Sequence, residues 1–408
     1  MTTTPALRSV ADHQQHVAAL LAQRVGAEEP IALAEARGRV LAVAVAAPEA
    51  LPSFDNSAMD GYAVRAADIA AATPDSPVLV PVAGDIPAGA PVSDLAPGSA
   101  LRIMTGAPVP RGADAIVEVE VTDGGTDKVA ISQAREVGSF VRPAGSDVAV
   151  GQEVLAAGAV LGPAQIGVLA ALGIAEVVVR RRPRVLVCST GSELAEDPAP
   201  GSGQIRDANG ALLAAAVEEA GAVAVRKLWV ADDVPAFLAL LDAETAAGDI
   251  DLVLTSGGVS AGAYEVVKDA LGPRGVEFVK VAMQPGMPQG SGVVGGVPVV
   301  CLPGNPVSAL TSYEVFVRPA LRSAAGHPHP QRPVVHATLT EPLNPLRGKR
   351  QLRRARLDRN AGTVTPWGPP GSGFLGWFAG ADALIDLPAD GSPLQAGDAV
   401  AVWDLTSG

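Results

Sequence analysis

Apolar and polar positions change their period several times along the chain, and each change predicts a different kind of element. From Ser9 to about Val25, the residues Val17, Leu20, Leu21 and Val25 recur at helical spacing behind a Ser9 N-cap, which predicts an amphipathic helix. A second apolar-periodic stretch covers Ile31 to Ala47 and stops at Pro48. Between Leu51 and about Val150, short β-branched runs (Pro77–Val82, Ala113–Val121, Val129–Ser132) alternate with Pro and Gly turns, which predicts a small β-rich domain. Gly151 to Val179 returns to helical and extended apolar runs. The most regular region runs from Pro183 to about Ala325. Its strand candidates are Arg184–Cys188, Ala222–Leu228, Asp251–Thr255, Val276–Val281 and Val297–Leu302. Helix candidates Asn209–Ala220, Val234–Ala247 and Tyr264–Leu271 lie between most of them, and Val307–Ala324 follows. This alternation predicts a doubly wound, mainly parallel sheet. His327–Pro333 holds three prolines and reads as a linker. After it, Val334–Leu339, Arg350–Leu357, Ala383–Leu387 and Ala399–Leu405 predict a small C-terminal β-barrel or sandwich.

Composition narrows the function. A length of 408 residues suggests about two to four domains and a core that needs no disulfide staples. With 30 Lys and Arg against 43 Asp and Glu, the net charge of −13 argues against general nucleic-acid or anionic-membrane binding. An anionic ligand then needs a local site of backbone amides, a few cations or a bridging metal ion. Cys188 and Cys301 each sit in a short apolar run and read as buried thiols of a reducing cytosol. No HExxH pattern occurs, and His13 and His16, three apart, read as surface residues. The N-terminal pattern lacks a signal peptide, and no uninterrupted apolar run has membrane-spanning length, so a cytoplasmic location is expected.

Candidate chemistry gathers in loops. Ser189-Thr190-Gly191-Ser192-Glu193, Ser256-Gly257-Gly258-Val259-Ser260 and Leu302-Pro303-Gly304-Asn305-Pro306 each follow a strand candidate directly. In a doubly wound sheet they cluster at the carboxyl ends of the strands, where unpaired amides favour a phosphate or oxyanion. No GxxxxGK[ST] occurs. The formal GxGxxG at Gly371, Gly373 and Gly376 follows prolines and precedes only a short tail, so it reads as chance. Pro52 to Ala63 packs Asp55, Asn56, Ser57 and Asp60 between aromatics, a composition suited to Mg²⁺ or polar ligand edges, or to an Asx-rich turn. Arg102 to Pro110 offers Thr105 as an oxyanion donor. Lys349, Arg350, Arg353, Arg354 and Arg356 form a basic cluster, readable as a solvated strand face or as an anion site.

Taken together, PSFDNSAMDGYAV (52–64), RIMTGAPVPRGADAIV (102–117), STGSEL (189–194), GQIRDANG (203–210), LTSGGVSAG (254–262) and LPGNPVSAL (302–310) resemble the molybdopterin molybdenumtransferase family, the bacterial MoeA proteins and the C-terminal domain of gephyrin. The motifs span the first three quarters of the chain in the family's order, and the C-terminal part matches in character. The resemblance implies insertion of molybdate into adenylylated molybdopterin, with Mg²⁺-dependent release of AMP. It implies an elongated homodimer of four-domain subunits. These comprise a discontinuous linking and dimerisation domain (1–50 and 146–180), an inserted β-rich domain (51–145), a doubly wound α/β domain of molybdopterin-binding type (181–327) and a small C-terminal β-barrel (328–408). The site would lie between the α/β domain of one subunit and the β-rich insertion of its partner.

Carried over by position, the resemblance gives Asp60, Glu193 and Asp232 catalytic roles, and makes Asp60, Glu193 and Glu265 metal ligands. It assigns substrate binding to Thr105, Arg142, Asp147, Asp207, Ser256, Gly257, Gly258, Ser260, Lys280, Pro303, Gly304, Asn305, Pro306, Arg354 and Ser372. The sequence departs from the family pattern at Gln284 and Met287, where many members carry lysines, and at Glu265, where Asp is usual. Two other readings are a molybdopterin adenylyltransferase and a pterin-binding scaffold. The inserted β-rich domain argues against the first, and the retained Asp60, Glu193 and Asp232 argue against the second.

Overall fold

The computed structural model describes residues 7–24, 26–195, 201–229, 233–259 and 266–406. The chain divides into two compact units, one built from Ile31–Arg37 and Val43–Val177, the other from Met1–Pro30, Gly38–Ala42 and Val178–Gly408. The amino-terminal helix α1 spans Val10–Ala22. Ser9 caps it, its hydroxyl accepting the Asp12 N–H at 3.0 Å. Val17, Leu20 and Leu21 enter the core as their spacing predicts. His13, read as a surface residue, is instead fully buried against the Phe316 ring.

The run from Ile31 to Ala47 is not a helix. Leu33–Glu35 makes one 3₁₀ turn, Gly38 takes a left-handed φ of +75°, and Val45–Ala46 is extended. Its buried apolar positions serve turn and strand packing, which periodicity alone does not separate from a helical stripe.

The first unit centres on a five-stranded sheet of β1 (Gly61–Val64), β2 (Val78–Ile86), β3 (Ala100–Ile103), β4 (Ala115–Glu118) and β5 (Lys128–Ile131), in the order β4-β1-β3-β2-β5. Only β2 and β3 run parallel. Tyr62, Val64, Val80, Val117 and Val129 fill one face, while Ala63, Ile86, Ile103 and Ile116 fill the other. Gly61 must lack a side chain because a Cβ there would overlap the Val117 carbonyl oxygen. Helix α2 (Pro163–Ala171) and the Val45–Ala46/Glu153–Leu155 ladder belong to the same unit.

The second unit holds the six-stranded sheet. Its elements are β6 (Arg184–Thr190), α3 (Ala208–Glu219), β7 (Val223–Trp229), α4 (Val234–Ala246), β8 (Leu252–Ser256), α5 (Val266–Leu271), β9 (Glu277–Lys280), β10 (Pro288–Val294) and β11 (Val297–Leu302). The order is β7-β6-β8-β11-β10-β9, parallel across the first four strands and antiparallel through β10 and β9. Alternate side chains feed two cores. Val185, Val187, Leu252, Leu254 and Val300 meet α3 and α1 on one face. Leu186, Cys188, Val253, Val299 and Cys301 meet α4 and α5 on the other. Burial raises the Cys188 and Cys301 thiols to about 12, so both stay protonated.

A continuous helical run follows β11: α6 (Pro306–Ser312), a π-helical turn at Tyr313–Val317, and α7 (Arg318–Ala324). The next segment is clamped. The Arg332 guanidinium meets the Glu314 carboxylate at 2.9 Å with both side chains buried, and Arg318 donates to the Pro330 carbonyl at 3.3 Å. Beyond it, β12 (Val334–Leu339), β13 (Arg350–Asp358), β14 (Thr363–Pro366), β15 (Ala383–Leu387) and β16 (Ala399–Asp404) close as β13-β14-β12-β16-β15-β13, a five-stranded barrel. Met283–Gln284 adds a parallel pairing to β13 and so ties the barrel to the sheet domain.

Candidate functional site

The parallel strands end together, and their loops converge. Ser189 on β6 is in register with Ser256 on β8, and Ser256 with Leu302 on β11. The loops beyond enclose a cavity of about 440 Å³, lined by Thr190, Gly191, Ser192, Glu193, Gly257, Gly258, Val259, Val266, Pro288, Pro303, Gly304, Asn305 and Ser308. That volume lies within the usual range for small-molecule sites. Gly257 is required by close approach, and Gly304 is tightly packed on it. Gly257 has φ +98°, and a Cβ on it would overlap the Thr190 carbonyl oxygen and come within 2.9 Å of Thr190 Oγ1. A Cβ on Gly304 would stand 3.3 Å from the Gly257 Cα. Thr190 Oγ1 donates to the Ser256 carbonyl at 3.2 Å, and the Gly257 N–H donates to Leu302 at 3.2 Å.

Helix starts complete the rim. Asn305 caps α6, its side-chain oxygen accepting the Val307 N–H at 3.2 Å, with Pro306 in the first turn and Pro303 buried behind it. Asp207 caps α3 by accepting the Gly210 N–H at 2.8 Å, and Asn209 donates to the Gly304 carbonyl at 2.7 Å. Asn209 is therefore a positioning residue that the sequence reading passed over, although it lies inside the GQIRDANG motif. Gln289 was missed as well: its buried amide donates to the Gly286 carbonyl at 2.6 Å and to Ser312 Oγ at 2.7 Å, holding the turn before β10. Lys280 is exposed at the end of β9 and in register with Pro288, which lines the cavity.

Glu193 is exposed at the cavity rim, its carboxylate folded over Gly191, where a Cβ would lie 2.6 Å from Oε1. Asp232, Ser260 and Glu265 lie outside the described residues.

In the other unit the strand pair Asn56–Ser57 and Val141–Arg142 carries Arg142, with Asp60, Thr105 and Asp147 on neighbouring loops. Arg142 donates to Asn56 Oδ1 at 3.4 Å. On the opposite side of the segment the Gly106 N–H bonds the Ser57 carbonyl. This brings Thr105 to Asp60: the Thr105 N–H and hydroxyl both donate to Asp60 Oδ1, at 2.6 and 2.7 Å. Those bonds, the backbone one first, hold the Asp60 carboxyl below the ordinary carboxylate range. The Thr105 hydroxyl, a candidate oxyanion donor by sequence, is here directed at Asp60. Asp147 is exposed, its N–H on the Leu51 carbonyl at 3.0 Å.

The basic cluster is largely committed to the barrel. Arg350 pairs with Asp386, and Arg353 donates to the Gly368 and Pro369 carbonyls. Arg354 reaches the Gly371 and Pro369 carbonyls, and Arg356 donates to Gly380. Ser372 is half-buried in the loop that Arg354 holds.

Three family models match in chain order: the MoeA N-terminal region (domain I and II) over residues 8–173, the probable molybdopterin binding domain over 186–323, and the MoeA C-terminal region (domain IV) over 336–405. The chain is 56% identical to molybdopterin molybdenumtransferase 2 of Mycobacterium tuberculosis, across 98% of this chain and 100% of that protein. It is 37% identical to molybdopterin molybdenumtransferase 1 of the same organism, across 97% and 98%. Among solved structures, the molybdopterin biosynthesis MoeA protein from Pyrococcus horikosii superposes with a TM-score of 0.83 at 31% identity, covering 98% of this chain and 99% of that one.

Proposed function

The chain belongs to the MoeA family of molybdopterin molybdenumtransferases, and on that premise we propose that it inserts molybdate into adenylylated molybdopterin with Mg²⁺-dependent release of AMP, a transferase step in molybdenum cofactor biosynthesis. The observation that carries this reading is the cavity at the ends of β6, β8 and β11, where Gly257 approaches the Thr190 backbone too closely for any side chain. Amides so presented suit the phosphate of a pterin ligand, and Asn305 and Pro306 set the start of α6 beside it. Lys280 adds a cation at the same edge.

The donor set fits Mg²⁺. Among the described residues no group of three or more metal-binding side chains gathers in one place. Mg²⁺ commonly takes one or two carboxylates and completes its shell with water and substrate phosphates. Asp60 suits that use because both Thr105 hydrogen bonds fall on Oδ1 and leave Oδ2 for a cation. Glu193 offers an exposed carboxylate at the cavity rim. Bound at either carboxylate, Mg²⁺ would neutralise pyrophosphate charge and favour displacement at phosphorus. Glu265 and Asp232 keep in this reading the roles the family resemblance gives them, as do Ser256, Ser260, Asp147, Asp207, Arg142, Arg354 and Ser372. A homodimer and a cytoplasmic location complete it.

The test is turnover. Purified protein mixed with adenylylated molybdopterin, molybdate and Mg²⁺ should release AMP in a molybdate-dependent manner. Tight binding without AMP release would replace the insertase with a scaffold. Formation of adenylylated product from ATP would replace it with an adenylyltransferase.

A further inference from the structure

The short segment from Ala58 to Asp60 crosses from the Asn56–Ser57 strand pair to β1, and its main chain is held at both ends. At one end the Ala58 N–H donates to the Phe140 carbonyl at 2.9 Å. At the other the Val119 N–H donates to the Asp60 carbonyl at 3.1 Å. Phe140 is itself unusual. Among the described residues it alone of the non-glycines takes a left-handed φ, at +52°. Such a backbone is disfavoured for an aromatic residue and persists only where its surroundings over-determine it.

Both holds meet in Arg135. Its Nε donates to Glu118 Oε2 at 2.9 Å, and a second nitrogen donates to Oε1 of the same carboxylate. Both side chains are mostly buried. Glu118 ends β4 opposite Gly61 and directly precedes Val119, so gripping it fixes the donor to Asp60. The same guanidinium lies 5.8 Å from the centre of the Phe140 ring. It also donates to the Ala134 carbonyl at 3.0 Å, which ties the arginine down at its own base. The pairing holds the Glu118 carboxyl below the ordinary carboxylate range. An apolar pair in this place would commonly stabilise the unit as well, whereas a forked ion pair adds direction.

We propose that Arg135 is a positioning residue for Asp60: by gripping Glu118 and lying against Phe140 it fixes both ends of the Ala58–Asp60 segment and so holds the Asp60 carboxylate in one direction. The proposal rests on the reading that Asp60 handles Mg²⁺ in the reaction. It reaches Arg142 as well, which follows Phe140 by two residues and donates to Asn56.

Amide hydrogen exchange without Mg²⁺, and turnover with it, test the brace in the full chain. Arg135→Met combined with Glu118→Gln removes the brace and leaves no unpaired charge. Arg135→Lys keeps the charge pair and loses the fork. In the double variant the Ala58 and Val119 amides should exchange about tenfold faster or more, while the β2–β5 ladder keeps its wild-type rates. Its kcat should fall about tenfold with KM for the adenylylated pterin unchanged, and Arg135→Lys should recover both readouts to within about threefold. Wild-type exchange at Ala58 and Val119 overturns the proposal, whatever the rate of turnover. So does exchange that rises equally across the unit, which would make Arg135 a matter of general stability. If the double variant does not fold, Arg135→Lys decides alone: exchange at Ala58 and Val119 about twofold faster supports the brace, and wild-type exchange overturns it. Faster local exchange with kcat unchanged refutes the part given to Asp60 and leaves the brace. A wild type that releases no AMP refutes the insertase, and the exchange rates still decide the brace.

Discussion

Gly257→Ala puts the strand-end cavity to its hardest test. The residue sits at φ +98°, a conformation that costs an L-residue about 1–2 kcal/mol before any contact is considered. The added methyl would also overlap the Thr190 carbonyl oxygen, so the loop after β6 must move away from the loop after β8. Displacing packed backbone commonly raises such a cost to roughly 3 kcal/mol or more. If half of that distorts the anion seat in the transition state, kcat/KM falls at least about tenfold, at 1.36 kcal/mol per decade. Gly304→Ala is the internal comparison. Its φ is not left-handed, and its methyl would stand 3.3 Å from the Gly257 Cα, a contact relieved by a few tenths of an ångström. Thermal melts and molybdate-dependent AMP release, measured for both variants, should rank Gly257→Ala as clearly worse in each. Equal losses, or wild-type kinetics in Gly257→Ala, would show that the close approach of these loops does not shape the site.

Three further outcomes are expected. Thr105→Ala should raise the Asp60 pKa toward its ordinary value, because the hydroxyl bond is lost, and the Asp60 carboxyl chemical shift followed against pH reads this directly; an unmoved titration would assign the depression to something else. His13, buried and beside Arg8 and His16, is depressed to about 3, so the folded chain holds it neutral while the unfolded chain takes up a proton below about 6.5. Its contribution is therefore intact above pH 6.5 and is lost as pH falls toward 3, amounting to about 2 kcal/mol by pH 5, and His13→Leu should flatten the denaturant midpoint between pH 7.5 and 5 by that amount. Glu193→Gln should keep the melting temperature but slow AMP release about tenfold or more, with a higher Mg²⁺ requirement; an unchanged Mg²⁺ curve removes Glu193 from the metal site.

The parallel strands were legible because both of their faces are buried, which makes runs such as Val185–Cys188 and Val297–Leu302 uniformly apolar. β10 was not legible. Its sequence, Pro-Gln-Gly-Ser-Gly-Val-Val, carries glycines because a Cβ at 290 would meet the Phe278 ring and one at 292 the Gly275 backbone. β1 hid for a related reason: Gly61 is required by its neighbour's carbonyl, yet it reads as turn punctuation. Strand-end loops follow from alternation, so Gly257, Gly258, Gly304 and Asn305 could be gathered into one place without coordinates. The Asp60–Thr105 pair could not. Forty-five positions separate the two, and only the pairing around Ser57 and Ala107 brings them together. The arginines at 350, 353, 354 and 356 read equally as a solvated strand face or an anion site, because charge is visible in a sequence and their Asp386 and carbonyl partners are not.

The proline-rich connection into the barrel has a consequence for ligand exchange. Arg332 on Glu314, Arg318 on Pro330, and the β13 pairing with Met283–Gln284 tie the linker and the barrel to the sheet domain at three points. A molecule touching both the barrel and the glycine loops meets a jaw already set. The entropy of fixing that jaw is met once, when the chain folds, and not again at every turnover. With the linker already tied down in this way, stiffening it further should leave the catalytic rate as it is.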